Sequence, residues 1–182
     1  KVNNYGVGGT RIAYQRHPSE KARYDLDFCG RCYDMDPNAD IIVVFGGVND
    51  YGHGDAPFGT VGDTSRSTFC GSVDYLCRTI RELYPDAVPV FLAPAHCLGD
   101  RCPSEGGIKP QDAEMRPLVD YVQAILEIAP RHGFHTLSLY DELGLDPNDN
   151  AVYEEYTVDG LHFNDKGHFL IAGCIQRFLE SL

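Results

Sequence analysis

Ile41-Ile42-Val43-Val44-Phe45 is an uninterrupted β-branched and aromatic run that ends in Gly46-Gly47-Val48-Asn49-Asp50. Strict alternation would mark a strand with one wet face, whereas a continuous apolar run marks a strand covered by helices on both faces. Such strands build parallel sheets, and parallel sheets bind ligands outside the carboxyl ends of their strands. Polar residues placed directly after the run are therefore functional candidates. Asn49 has a side-chain amide able to donate to an oxyanion, and Asp50 can hold the turn by accepting local backbone N–H groups.

Working outward, Val88-Pro89-Val90-Phe91-Leu92-Ala93 is a second strand with its proline near the start, and Thr136-Leu137-Ser138-Leu139 is a short third. Helical spacing predicts a helix from about Ser67 to Tyr84 with Phe69, Val73, Leu76, Ile80 and Leu83 on one side. A second runs from about Gln111 to His132 and carries Met115, Leu118, Val122, Ile125 and Ala129. The last opens at Asn164, a good N-cap, and buries Leu170, Ile171, Cys174, Ile175, Phe178 and Leu179. Pro18 to Asp27 reads as a short polar helix, and Tyr140 to Tyr156 as an acidic, irregular connection. Strands alternating with helices imply crossover units and an α/β fold, a three-layer α/β/α sandwich with a mostly parallel sheet. No composition shift or repeat divides residues 1–182, so we expect one domain.

Two further stretches carry chemistry. Lys1-Val2-Asn3-Asn4-Tyr5-Gly6-Val7-Gly8-Gly9-Thr10 reads as the end of a strand running into a glycine-rich turn. Its glycines would let backbone N–H groups approach a ligand, although the spacing matches neither phosphate-loop nor dinucleotide motifs. Near the other end, Thr157-Val158-Asp159-Gly160-Leu161-His162-Phe163-Asn164 places an acid three residues before a histidine with a glycine between them. That spacing can set a carboxylate against one imidazole nitrogen and leave the other for proton transfer. Gly62-Asp63-Thr64-Ser65 looks like a nucleophile motif, but no strand leads into it, and it reads better as the approach to a helix.

Charge and cysteine content narrow the partners. Fifteen basic and 27 acidic residues give a formal net charge of −12, which argues against nucleic acid and anionic membrane surfaces. No apolar run approaches the ~20 residues of a membrane-spanning helix. Seven cysteines, an odd number, point to a reducing, cytoplasmic setting, with export open if a leader has been removed. Cys29-Gly30-Arg31-Cys32 has redox or zinc-hairpin spacing without a second pair, and Cys97 and Cys102 are close enough in sequence for a bridge.

The order of these stations, a glycine-rich turn, then Gly-x-Asn-Asp after a strand, then Asp-x-x-His before the last helix, resembles the GDSL or SGNH hydrolase family of esterases and lipases. The likeness spans essentially the whole chain. It implies a flavodoxin-like sheet and hydrolysis of carboxylic esters, with Asp159 as acid, His162 as base, and an oxyanion hole made by the Gly9 N–H and the Asn49 side chain. It implies a small-molecule or carbohydrate ester as substrate, no metal and no cofactor; the oligomeric state is open. Tyr51, Phe58 and Tyr156 would shape the substrate pocket. The family's nucleophilic serine stands in a Gly-Asp-Ser turn after the first, central strand, which would precede Lys1. We therefore expect an upstream strand, turn and helix of about 30 residues. Two rival expectations are an SGNH-fold binding module without a nucleophile, and a metal-dependent hydrolase using His53, His96 and His162.

Overall fold

The computed structural model describes residues 1–101 and 116–182. Three strands form one parallel sheet in the order β1-β2-β3: β1 is Ile41–Phe45, β2 is Val88–Ala93 and β3 is His135–Ser138. The helices in chain order are α1 (Phe28–Arg31), α2 (Val48–His53), α3 (Phe69–Leu83), α4 (Leu118–Ile128), α5 (Leu139–Glu142), α6 (Asn150–Tyr156) and α7 (Asp165–Leu179). A single 3-10 turn, Ala22–Asp25, stands where a longer polar helix was expected. The start of the helix expected from Gln111, together with Met115 and Cys102, lies outside the described residues.

Local signals placed the main helices well. Thr68 caps α3 by accepting from Gly71 N–H, and Asn164 caps α7 by accepting from Lys166 and Gly167 N–H. The connection Tyr140 to Tyr156 is irregular only over residues 143–149, because Ser138 and Asp149 cap α5 and α6 on either side in the same way. Lys1 to Asn4 forms no strand; these residues are exposed.

Helices cover both faces of the sheet. Ile42, Val44, Phe91 and Ala93 face α3 and α4 in one core that contains Phe69, Leu76, Ile80, Leu118 and Ile125. Val90, Leu92 and Leu137 face α7 through Ile171 and Cys174 in a second core. Each fully buried leucine, isoleucine or phenylalanine here contributes about 1.5–3 kcal/mol of hydrophobic stabilisation.

The expectation that β1 is buried on both faces needs correction. Parallel register sets Val43 beside Val90 and Phe45 beside Leu92, so these side chains share a face. On β2 that face is sealed by α7, yet Ile41, Val43 and Phe45 on β1 remain 47%, 45% and 49% exposed. In this three-stranded sheet β1 stands at one edge, and α7 packs on β2 and β3.

Candidate functional site

Asp159 and His162 form a local unit. Asp159 accepts the backbone N–H of Leu161 (3.0 Å) and of His162 (2.8 Å) through Oδ1, while its Oδ2 lies 2.8 Å from His162 Nδ1. Gly160 makes the turn possible with φ +82°, and a Cβ there would meet Leu98 Cβ at 2.7 Å. The His162 backbone N–H, then the His162 ring and the Leu161 N–H, hold the Asp159 carboxyl down to about 2 against an opposing effect of burial. An ionised Asp159 accepts from a protonated Nδ1, which leaves Nε2 as the ring nitrogen with a free lone pair. Both side chains are accessible, at 72% for His162 and 52% for Asp159.

The glycine-rich turn and the Asn-Asp block meet at the other part of the site. Asn49 sits on the first turn of α2 and donates Nδ2 to the Thr10 carbonyl at 3.0 Å, which brings it against the residue after Gly9. Gly9 has φ +85°, and a Cβ on it would enter the Tyr24 ring, 2.1 Å from Cε1. Among the described residues no hydrogen bond joins the Gly9–Asn49 pair to the Asp159–His162 pair.

Asp50 holds this arrangement from below, by a route the sequence did not show. Besides its own backbone N–H it accepts the N–H groups of Ile12 and Ala13, both at 2.9 Å, and so staples the segment after the glycine turn to α2. Burial pushes its carboxyl up to about 6 despite those two bonds and the nearby Arg11.

Several expectations change. Tyr51 and Phe58 do not shape a pocket: both are buried, with Phe58 stacked on Phe69 and both edge-on to Tyr121. The three histidines of the metal reading are held separately, His53 by Arg11 and Asn49, His96 by Asp100, and His162 by Asp159. No group of three or more metal-binding side chains occurs among the described residues. Ser65 bonds Ser67 in an exposed loop, and no described serine hydroxyl bonds His162. Cys29 and Cys32 are buried free thiols, Cys29 raised well above the usual range and Cys32 to about 11, chiefly by burial. The proposed Cys97–Cys102 bridge falls outside the described residues.

The Arg11–His53–Asn49 chain of bonds, and the brace between Leu98 and Gly160, were missed. His53 and Asn49 stand one helical turn apart, but the Arg11–His53 and Leu98–Gly160 bonds join residues about 40 or more positions apart and leave no sequence signal.

A parallel three-layer domain with an acid–histidine pair ahead of its last helix and an amide donor after its edge strand belongs to the ester hydrolase class. The chain is a member of the GDSL-like lipase/acylhydrolase family, whose model matches residues 1–170. No curated protein matches it. Among solved structures it is similar to a protein from Lactobacillus plantarum, with 32% identity over 98% of this chain and 80% of that one and a TM-score of 0.81. An acetyl xylan esterase, AlAXEase, shares the fold at 19% identity, covering 94% of this chain and 77% of the other with a TM-score of 0.58. So does a peptidoglycan O-acetylesterase, at 19% identity over 85% of this chain and 40% of that one, TM-score 0.56. Among the described residues no helix is long and apolar enough to cross a membrane.

Proposed function

We propose that this chain supplies the acid, the base and the oxyanion donors of a serine esterase that removes small acyl groups, acetyl foremost, from carbohydrate-linked esters. The observation that carries this reading is the Asp159–His162 pair, with Nδ1 held by an ionised carboxylate and Nε2 open to solvent. The named activities of the acetyl xylan esterase and the peptidoglycan O-acetylesterase support the choice of acyl group.

His162 Nε2 takes the proton of the serine hydroxyl as the oxygen attacks the acyl carbon, and Asp159 stabilises the imidazolium that forms. The carbonyl oxygen becomes an oxyanion facing the Gly9 N–H and the second Nδ2–H of Asn49, donors worth roughly 3 kcal/mol each in the transition state. The tetrahedral intermediate expels the alcohol, which receives the proton back from His162. Water, deprotonated by the same nitrogen, then releases the acid and restores the serine.

The serine would come from a strand upstream of Lys1 that pairs with the free edge of β1. Ile41, Val43 and Phe45 support this, since they continue the buried face of Val90 and Leu92 as an apolar strip that an added strand and its helix would cover. Labelling the active protein with a fluorophosphonate, followed by peptide mapping, tests the assignment. We expect the label on a serine preceding Lys1 and a mass above the 20.2 kDa of these residues. A label on Ser65 would overturn the nucleophile assignment, and no label and no turnover of p-nitrophenyl acetate would favour the binding-module alternative.

A further inference from the structure

Asn49 has two groups to satisfy, and both are held. Its Nδ2 donates to the Thr10 carbonyl at 3.0 Å, and its Oδ1 lies 3.2 Å from His53 Nε2, one helical turn further along α2. The other ring nitrogen of His53, Nδ1, lies 2.9 Å from Nη1 of Arg11. A guanidinium has only donors, so Nδ1 must accept and the single ring proton must stand on Nε2, directed at Asn49 Oδ1. Arg11 is itself fixed: it is 3% exposed, and its Nη2 donates to Ser19 Oγ at 2.7 Å and pairs with Asp25 at 3.1 Å. The Tyr24 ring packs against both ends of this arrangement, 5.5 Å from the His53 ring and directly beneath Gly9.

From this geometry we infer that His53 and Arg11 are positioning residues for the oxyanion donor: Arg11 selects the His53 tautomer, and His53 in turn fixes which way the Asn49 amide faces. An amide flipped end for end would set Oδ1 against the Thr10 carbonyl and Nδ2 against the His53 N–H, two repulsions in place of two bonds. With both bonds in place one Nδ2–H is used by Thr10 and the other is presented in a single direction. The inference rests on Asn49 acting as an oxyanion donor. In this role His53 and Arg11 act on the transition state through Asn49 and need no contact with substrate.

The test is a double-mutant cycle in the full-length esterase, with kcat and KM measured on p-nitrophenyl acetate and folding followed by thermal melting. His53→Leu should lower kcat about five- to tenfold with KM within about twofold, the order of one hydrogen bond's net worth. His53→Gln, whose amide again donates to Asn49 and accepts from Arg11, should recover most of that loss. On an Asn49→Ala background His53→Leu should lower kcat no further. An undiminished effect of His53→Leu on that background, or unchanged kcat in folded His53→Leu, would overturn the positioning role alone. Full activity of Asn49→Ala would overturn the oxyanion reading and this inference with it. Should the leucine variant fail to fold, the 15N resonances of the His53 ring in the unsubstituted protein decide: the Nε2–H tautomer is expected, and the Nδ1–H tautomer would refute the relay.

Discussion

Leu98 donates its backbone N–H to the carbonyl of Gly160 at 2.8 Å, which ties the loop after β2 to the turn carrying Asp159 and His162. The contact is close enough that Leu98 Cβ would stand 2.7 Å from a side chain on Gly160, and Tyr153 closes the other side at 3.0 Å. The turn that carries Asp159 and His162 is therefore braced from outside itself as well as by the Asp159 carboxylate.

Gly160→Ala should destabilise the fold by about 1–3 kcal/mol, because it combines an unfavourable φ with a clash against a side chain rooted in backbone. Urea denaturation would register this as a lower midpoint. Esterase activity should fall further than stability accounts for, since the Asp159–His162 geometry shifts with the turn.

His162→Ala should abolish nearly all ester hydrolysis while moving the melting temperature little, because the ring is largely exposed and packs on no core. Asp159 adds a pH signature. Its folded-state value, about 2 against an ordinary 3.8, is depressed, so its contribution to the turn is present above about pH 4 and is lost as pH falls toward 2. NMR titration of the His162 backbone amide should show its transition in that window, and Asp159→Asn should remove it.

Asp50 titrates with the opposite sign. Its folded-state value is raised to about 6, so the stability linked to it is fully present below about pH 4 and is lost as pH rises to about 6, with no further change above. Asp50→Asn should erase this slope in denaturation midpoints measured from pH 4 to 7. The same substitution should cost about 1–3 kcal/mol at neutral pH, because one amide end presents a donor to Ile12 or Ala13 N–H.

The thiols of Cys29, Cys32 and Cys97 are buried and raised by that burial, Cys32 to about 11 and Cys97 to about 12. Thiolate is the reactive form, so native protein at pH 8 should leave these three unmodified by iodoacetamide for far longer than denatured protein does. Peptide mapping of the alkylated protein checks it.

The parts of this protein that sequence alone determined are those whose physics is local. The continuous apolar run 41–45 specified a strand, period-3.6 patterning and the Thr68 and Asn164 caps specified α3 and α7, and the three-residue spacing with Gly160 specified the Asp159–His162 pairing. Each needs only a few neighbours in the chain, so composition and spacing carry it. The tertiary structure alone decided the rest. Which side chains of β1 α7 leaves uncovered depends on how far that helix reaches across the sheet, and this is not written in residues 41–45. That Asp50 holds Ile12 and Ala13, and that Arg11 meets His53 beside Asn49, follows from packing two segments some 40 residues apart. A buried donor or acceptor is satisfied by whichever partner the fold brings within 3 Å or so, and a linear sequence does not encode that distance.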